Sequence, residues 1–232
     1  MKNIYAIIPA RSGSERIKKK NIKKFFNKPI IYYPIQTAKK SKIFEKIIVT
    51  TDSHKIKKVA LEAGADDVII RPKNLSNNKS LVIETVKHAI KLLEKKNITI
   101  NFICCIFPTA VLLRKKSLSD SFNIYKKSKY TFLFSSIKFR HPIERSFKIK
   151  KNKIAFFKKS KLSENTQKLN MSYHDAGQFY WGTKKNWKNK KNILSNNCGH
   201  FPMSELNAID IDTISDWKIA EAIYKNYLNR KG

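Results

Sequence analysis

The chain is short of three things that would assign it to a class at once: paired cysteines, acidic residues and a long apolar run. Its cysteines are Cys104, Cys105 and Cys198, and an odd number without paired spacing excludes a disulfide framework and a tetrahedral zinc site. No apolar stretch approaches the length that spans a bilayer, and the apolar N-terminus runs directly into Arg11 and Gly13. We therefore expect a cytoplasmic protein with reduced thiols and no membrane partner.

Acidic residues are scarce, with 17 against 49 basic residues, so the formal net charge is +32. Such a charge raises the possibility of a nucleic-acid partner. However, only seven of the basic residues are arginine, and the lysines are scattered along the chain rather than grouped on one stripe. No signature of a nucleic-acid reading module is visible. Nucleic acid is therefore not expected as the primary partner, and an RNA-binding α/β protein remains a remote alternative.

Short apolar runs alternate with segments of helical periodicity along most of the chain. The run Ile4–Pro9 is continuously apolar, as in a strand buried on both faces of a parallel sheet. Further strands are predicted at Lys46–Thr51, Asp67–Ile70, 102–107, 130–136, 179–181 and 208–211. Helices are predicted between these strands and from Thr213 onwards. The alternation predicts an α/β fold with a doubly wound, mostly parallel sheet.

The regular alternation is interrupted between residues 139 and 173. This stretch is rich in lysine and contains short alternating pieces, such as Phe147-Lys148-Ile149. We interpret it as a small β-rich arm inserted into the main fold. Because the chain shows no internal repeat and no linker, residues 1–232 are predicted to form a single domain.

A basic loop, residues 10–21, follows the first predicted strand. The carboxyl ends of strands are where open α/β sheets bind ligands. Gly13 allows the backbone to approach a phosphate closely, and Arg11, Arg16 and Lys20 can neutralise phosphate charge. The loop has neither the Gly-Lys-Ser/Thr of a P-loop nor the dinucleotide pattern of three glycines. Its spacing alone leaves a solvated loop as an open alternative.

Two aspartates, Asp210 and Asp212, precede the last predicted helix. Residues two apart on an extended strand point to the same face, so both carboxylates can reach one site. Carboxylate oxygens suit Mg²⁺ that is bound jointly with substrate phosphates. A purely structural alternative is helix capping, and Thr213 with Asp216 resembles a capping box. We therefore assign Asp216 to the helix terminus and predict metal binding at Asp210 and Asp212.

The loop motif Ile-Pro-Ala-Arg-Ser-Gly-Ser-x-Arg-Ile-x-x-Lys-Asn, beginning at Ile8, resembles the nucleotide-binding signature of the CMP-sialic acid and CMP-Kdo synthetase family. The similarity continues in residues 49–53, in Arg71-Pro72 with Leu75-Ser76, and in residues 209–213. These segments occur in the order and spacing of the family and cover nearly the whole chain. The resemblance implies a Rossmann-like nucleotidyltransferase that uses CTP, Mg²⁺ and a nonulosonic acid.

The resemblance also assigns roles to individual residues. It implies that the anomeric hydroxyl of the sugar attacks the α-phosphorus of CTP directly, with Arg11, Lys20 and Asp212 as catalytic residues. The metal ligands implied are Asp210 and Asp212. The implied nucleotide-binding residues are Ala10, Arg11, Ser12, Gly13, Lys20, Asn21, Arg71 and Ser80.

The segment Asp-Ala-Gly-Gln-Phe-Tyr-Trp at residues 175–181 resembles the branch of the family that acts on pseudaminic acid. Without the resemblance, it is simply a turn that enters a core strand. With it, His174, Asp175 and Gln178 are expected to line the sugar pocket, together with Arg145 of the arm. The arm resembles the dimerisation segment of the family, which implies a homodimer. Synthetases for N-acetylneuraminic or legionaminic acid remain the nearest alternatives, and a sugar-1-phosphate nucleotidyltransferase is more distant.

Overall fold

A computed structural model of the chain describes residues 3–77, 80–157 and 162–229. The strands are β1 (Ile4–Pro9), β2 (Lys24–Phe25), β3 (Lys28–Pro29), β4 (Lys46–Thr51), β5 (Asp67–Ile70), β6 (Phe102–Ile106), β7 (Phe132–Lys138), β8 (Phe147–Lys150), β9 (Lys153–Phe156), β10 (Tyr173–Thr183) and β11 (Gly199–Pro202). The helices are α1 (Tyr32–Ser41), α2 (His54–Glu62), α3 (Val82–Glu94), α4 (Lys115–Lys127), α5 (Lys184–Asn189) and α6 (Ile214–Asn229). None of the helices in these described ranges is both long enough and apolar enough to cross a membrane.

A seven-stranded sheet forms the centre of the fold, in the order β11-β7-β10-β6-β1-β4-β5. Strand β1 pairs in parallel with β4 and with β6, β4 pairs in parallel with β5, and β11 pairs in parallel with β7. Within this described sheet, β10 alone runs antiparallel to its two neighbours, β6 and β7. The predicted mostly parallel sheet is therefore confirmed.

Both faces of the sheet are covered by helices, and β1 shows why its sequence is continuously apolar. Ile4, Ala6 and Ile8 pack on one face, in a cluster that includes residues of α1, α2 and α4. Tyr5 and Ile7 point to the other face, where α3 supplies its apolar side. A strand covered on both faces has no solvent-exposed position, which explains the absence of alternation. The doubly wound arrangement is confirmed.

Local side chains and a glycine define the termini of two helices. The Ser53 hydroxyl accepts a hydrogen bond from the Ile56 N–H at 3.4 Å at the start of α2. Gly64 follows that helix with a φ of +93°, in the left-handed region that suits glycine. At the start of α6, the Thr213 N–H donates to Asp216 Oδ2 at 2.7 Å, and the Asp216 N–H donates to Thr213 Oγ1 at 3.2 Å. This is the reciprocal capping box that the sequence indicates.

One predicted strand is wrong. Residues 208–211 pair with no strand of the described part of the chain, and the edge of the sheet is formed instead by β11, which lies beside β7. The alternation of residues 208–212 is nevertheless real, because Ile211 is fully buried in an apolar cluster with Phe25 and Trp217. Alternation reports which side chains face the protein, but it cannot report whether the backbone finds a strand partner.

The arm, residues 139–173, contains the two-stranded antiparallel sheet of β8 and β9, which is separate from the central sheet. Residues 158–161 of the arm lie outside the described part of the chain. The two strands carry exposed apolar side chains, including Phe147, Ile149 and Ile154. The predicted β-rich character of this segment is confirmed for the residues described.

Candidate functional site

A cavity of about 550 Å³ opens where β1 and β6 end. We call it the switch-point cavity, because the strand order reverses here: β4 and β6 lie on opposite sides of β1 in the sheet. Pro9 and residues 107–109, which follow the two strands, form part of its wall. Ligands of open α/β sheets bind at this kind of reversal in strand order. The fold therefore places the candidate site where the position of the basic loop predicted it.

The switch-point cavity collects residues from four separate parts of the chain: the basic loop, the segment after β5, the loop after β6 and the segment before α6. The predicted site residues that line it are Arg11, Lys20, Asn21, Arg71, Ser80, Asp210 and Asp212. Arg16 lies in the same wall. A single cavity thus contains four basic side chains and three carboxylates, those of Glu15, Asp210 and Asp212, a composition that suits a polyphosphate bound with a metal ion.

Asp212 is held by cations of the basic loop. Arg16 Nη2 lies 2.9 Å from Asp212 Oδ2, and Lys20 Nζ lies 3.3 Å from Asp212 Oδ1. The Lys20 ammonium also donates to the carbonyl oxygen of Ile211 at 2.6 Å. These contacts join the first and last parts of the cavity wall, although the residues are about 190 positions apart along the chain.

Asp210 differs from Asp212 in its electrostatic surroundings. Burial, reinforced by the nearby negative charge of Asp212, raises the pKa of the Asp210 carboxyl to about 6, although Lys20 counteracts the shift. Gly177 of β10 lies directly behind this carboxylate. A Cβ atom at Gly177 would stand 3.0 Å from Asp210 Cγ, and the φ of Gly177 is +60°. Glycine therefore satisfies both the local backbone and the close approach of Asp210.

The two aspartates fit a magnesium ion that shares its ligands with phosphate. Within the described ranges, no group of three or more His, Cys, Asp or Glu side chains is placed to hold a metal by itself. The protein supplies a pair of hard carboxylates facing one cavity, and the raised pKa of Asp210 marks a charge that a cation would stabilise. Mg²⁺ typically takes one or two protein carboxylates and completes its shell with phosphate and water.

Asn21 and Arg71 are buried polar residues in the cavity wall. The Asn21 amide donates to the Arg11 carbonyl at 2.8 Å, while its buried Oδ1 has no hydrogen-bond partner among the described residues. The Arg71 guanidinium donates to the hydroxyls of Ser76 at 3.1 Å and Thr85 at 3.2 Å. An orphaned buried acceptor is costly unless a ligand supplies a donor, so Asn21 is suited to orienting a nucleotide.

Ser80 lies at the cavity margin, where its hydroxyl is 3.0 Å from both the Asn74 carbonyl oxygen and Asn77 Oδ1. Three predicted nucleotide contacts do not line the cavity. Ala10 is fully buried in the core, and the Ser12 side chain turns to Asp52. A Cβ at Gly13 would meet nothing within 4 Å, so the polypeptide itself does not require glycine there. Direct contacts of these three residues with a nucleotide stay predictions.

A second depression of about 670 Å³, which we call the arm groove, runs between the arm and α6. Arg145 and His174 line it, and Asp210 lies in the walls of both depressions. Its remaining lining is largely apolar and includes Ile143, Ile209, Ala208, Ile219 and Ile223. A ligand in the arm groove would therefore meet a ligand of the switch-point cavity at Asp210.

Asp175 and Gln178 line neither depression and instead shape the backbone beside Asp210. The Asp175 carboxylate accepts hydrogen bonds from the Gly177 N–H at 2.9 Å and from the Tyr180 hydroxyl. The Gln178 side-chain amide donates to the carbonyls of Ala176 at 2.7 Å and Ile209 at 3.0 Å. The pairing of β10 with β7 shifts register between Asp175 and Tyr180. This segment therefore acts as a bulge that supports Asp210, and its predicted sugar contacts stay predictions.

Sequence reasoning missed three contributors to the site: Asp52, Thr85 and Gly177. Asp52 precedes α2, but Ser53 caps that helix and Asp52 binds Ser12. Thr85, on the buried side of α3, carried no signal beyond helical periodicity. Gly177 did carry a usable signal, because a glycine inside a strand indicates a bulge or a close approach.

Comparison with known proteins agrees with this geometry. Residues 5–221 match the family model described as Cytidylyltransferase. The pseudaminic acid cytidylyltransferase of Campylobacter jejuni serotype O:2 is 37% identical over 97% of each chain. The N-acylneuraminate cytidylyltransferase of Escherichia coli O18:K1:H7 is 27% identical over 98% of this chain and 54% of its own length. The solved structure of a CMP:2-keto-3-deoxy-manno-octonic acid synthetase complexed with CTP superposes with a TM-score of 0.70, at 13% identity and 97% and 99% coverage.

Proposed function

The chain belongs to the cytidylyltransferase family, and from that membership we propose that it transfers CMP from CTP to the anomeric hydroxyl of pseudaminic acid. The products are CMP-pseudaminic acid, pyrophosphate and a proton. The sugar is the one named for the Campylobacter jejuni relative, which shares more than a third of its residues with this chain over nearly its full length.

The observation that carries the proposal is the meeting of two depressions at one carboxylate. The switch-point cavity contains the basic side chains that a triphosphate requires, and the arm groove approaches it from the other side of Asp210. Two substrates bound in these places would bring a sugar hydroxyl and an α-phosphate together at Asp210. Holding two reactants in this way supplies much of the rate enhancement of a bimolecular reaction.

The reaction proceeds by direct in-line attack. The anomeric oxygen forms a bond to the α-phosphorus as the bond from that phosphorus to the bridging oxygen of pyrophosphate breaks. Arg11, Arg16 and Lys20 lie in the cavity wall, where they can stabilise the negative charge of the departing pyrophosphate. Asn21, whose buried Oδ1 needs a donor, orients the nucleotide. Arg71 supplies a further buried positive charge.

Asp210 and Asp212 would hold Mg²⁺, and the ion would neutralise charge on the α-phosphate and favour ionisation of the attacking hydroxyl. Without the ion, Lys20 and Arg16 already fix the position of Asp212. Gly177 and Gln178 hold the segment that carries Asp210. The protein therefore presents both carboxylates in place, and the remaining ligands come from the substrate and water.

We also propose a homodimer formed through the arm, within a cytoplasmic enzyme. Support comes from the apolar side chains that the described part of the arm exposes: Ile149 is 70% exposed, Ile154 60% and Met171 67%. Ile149 and Ile154 are paired across β8 and β9, and exposed apolar side chains that neighbour one another typically belong to an interface. In a dimer, the arm groove would lie beside the interface, because Phe139, Ile143 and Arg145 belong to both the arm and the groove wall.

Pyrophosphate release from CTP and Mg²⁺ tests the proposal, with pseudaminic, N-acetylneuraminic and legionaminic acids assayed in parallel. We expect release with pseudaminic acid and little with the other two. Preferred use of another sugar would keep the cytidylyl transfer and reject the sugar assignment. Absence of release with all three sugars, from protein that binds CTP, would reject the proposed acceptors altogether.

A further inference from the structure

Two segments that line the switch-point cavity are hydrogen-bonded to consecutive residues at the end of β4. The Thr50 carbonyl oxygen accepts a hydrogen bond from the Ala10 N–H at 2.9 Å, at the start of the basic loop. The Thr51 carbonyl oxygen accepts one from the Arg71 N–H at 2.8 Å, on the opposite side. The backbone of β4 thereby fixes where both segments leave the sheet.

The side chain of the next residue, Asp52, accepts further hydrogen bonds from the basic loop. Asp52 Oδ1 accepts a hydrogen bond from the Ser12 N–H at 2.8 Å, and Asp52 Oδ2 accepts one from the Ser12 hydroxyl at 2.6 Å. Burial raises the pKa of the Asp52 carboxyl, but the hydrogen bonds from Ser12 outweigh burial, so the pKa lies below its usual range. Asp52 is therefore ionised at neutral pH and binds the basic loop with both oxygens.

The charge of Asp52 also acts on the buried guanidinium of Arg71. Arg71 is buried, and its hydrogen-bond partners Ser76 and Thr85 are uncharged hydroxyls. Burial and the nearby charge of Arg11 both disfavour the Arg71 cation, whereas Asp52 favours it. In the absence of a triphosphate, Asp52 therefore supplies a negative charge close to Arg71. A buried charge without such a partner is strongly destabilising.

We propose that Asp52 is a positioning residue, which holds the basic loop and Arg71 in their nucleotide-binding arrangement before CTP arrives. It does so through Ser12 and through its charge, and it is not itself one of the described residues that line the cavity. Its alternative role as a helix cap is already filled by Ser53. Preorganisation of this kind improves affinity because less ordering remains to be done on binding. The inference rests on the proposed use of CTP.

The test compares Asp52→Ala, Asp52→Asn and Ser12→Ala with Asp120→Asn, a matched charge loss on α4. We expect Asp52→Ala to raise the KM for CTP by about tenfold or more, with kcat within about threefold of wild type. Asn keeps one acceptor oxygen and Ser12→Ala keeps the backbone donor, so both should have smaller effects in the same direction. Asp120→Asn should leave KM and kcat unchanged.

A second measurement reports on the loop itself without turnover. In the unliganded protein, Asp52→Ala should increase amide hydrogen exchange of residues 10–16 and leave exchange of α4 unchanged. Binding of CTP in the absence of sugar should weaken in parallel with the change in KM. If Asp52→Ala fails to fold, the KM for CTP and the amide hydrogen exchange are measured on Asp52→Asn and Ser12→Ala instead. Each of these variants removes only part of the contact between Asp52 and Ser12.

The outcomes separate this inference from the proposed function. A wild-type protein that does not bind CTP would reject the proposed function. A wild-type protein that binds and uses CTP, with variants that match it in KM and in exchange of residues 10–16, would reject only the role of Asp52. Loss of kcat at unchanged KM would also overturn it, because Asp52 would then act on the chemical step.

Discussion

The two sides of Asp210 are built in different ways. On the nucleotide side, the basic loop follows the central strand β1 and is held by partly buried contacts, such as those of Lys20 with Ile211 and Asp212. On the arm side, His174 and Arg145 are exposed, and the arm forms a separate small sheet with exposed apolar side chains. From this difference we propose that one chain completes the nucleotide site, whereas the acceptor side depends on what packs against the arm.

The largest effect is expected from a substitution on the nucleotide side, at Asp212, which Arg16 and Lys20 of the basic loop contact. Asp212→Asn should reduce kcat about 100- to 1,000-fold, because it changes the carboxylate that we propose as a metal ligand and that pairs with Arg16 and Lys20. Far-UV circular dichroism should be unchanged. The control is Asp216→Asn in the capping box, which should cost about 1 kcal/mol of stability and retain most activity. Wild-type turnover of Asp212→Asn at saturating Mg²⁺ would reject the metal assignment.

Gly177→Ala should give the second largest effect, because the new Cβ would stand 3.0 Å from Asp210 Cγ at a φ of +60°. We expect a loss of about tenfold or more in kcat, since small displacements of a reacting group are costly.

Gly64→Ala is the matched control for Gly177→Ala. Its φ is also positive, at +93°, but the new Cβ would meet only the ends of the Gln36 and Lys39 side chains. Both variants should lose about 1 kcal/mol of stability from the backbone strain, measured by urea unfolding. Equal kcat values for the two variants would show that Gly177 has no role in placing Asp210.

A change on the arm should separate the two sides of the site. Ile149→Asp places a charge on a side chain that is 70% exposed and that lines neither the switch-point cavity nor the arm groove. We expect it to shift the protein to monomer in sedimentation velocity and to raise the KM for the sugar several-fold, with CTP binding unchanged. Ile124→Asp, on an exposed position of α4, should change neither. An arm variant that weakens CTP binding would contradict the division between the two sides.

The smallest expected effect is a pH dependence at the point where the two sides meet. Because the pKa of Asp210 is raised to about 6, the carboxyl takes up a proton as the pH falls through 6 and loses its capacity as a metal ligand. The kcat/KM profile at low Mg²⁺ should therefore decline below about pH 6, and saturating Mg²⁺ should move the decline to lower pH. If the decline of kcat/KM at low pH does not shift with the Mg²⁺ concentration, the group that titrates is not Asp210.

The raised pKa of Asp210 also makes the stability of the folded state depend on pH. The folded state holds the Asp210 proton more tightly than the unfolded chain, in which the carboxyl has its ordinary pKa of 3.8. Its contribution is therefore fully present below pH 3.8 and is lost as the pH rises through 6. Asp210→Asn should unfold at a slightly higher temperature than wild type at pH 7 without Mg²⁺. The gain should be small, because the carboxylate is open to water in the cavity.

The sequence predicted strands β1, β4 and β5 better than the edge strand β11, for a physical reason. Ile4–Pro9, Lys46–Thr51 and Asp67–Ile70 were located to the residue, because strands buried on both faces are continuous apolar runs. Strand β11, Gly-His-Phe-Pro, has no such pattern and was missed, whereas residues 208–211 alternate without finding a strand partner.

The same limit applies to the site. Arg11 and Lys20 follow from the position of a basic loop at a strand end, and Asp212 follows from a pair of aspartates two positions apart before the last helix, both of which the sequence reveals. Asp175 and Gln178 turn away from both depressions because of a bulge in β10, and a bulge depends on pairing with β7. The partnership of Ser12 with Asp52 joins residues 40 positions apart and could not be inferred from either one alone.

The most direct test of the account is ³¹P NMR of the protein incubated with CTP, Mg²⁺ and pseudaminic acid. The account predicts that the signals of CTP decline while the signal of one phosphodiester, that of CMP-pseudaminic acid, appears together with an equal amount of pyrophosphate. No free CMP should be formed. Free CMP in place of the phosphodiester, or CTP that persists although it is bound, would contradict the transfer of CMP to the sugar.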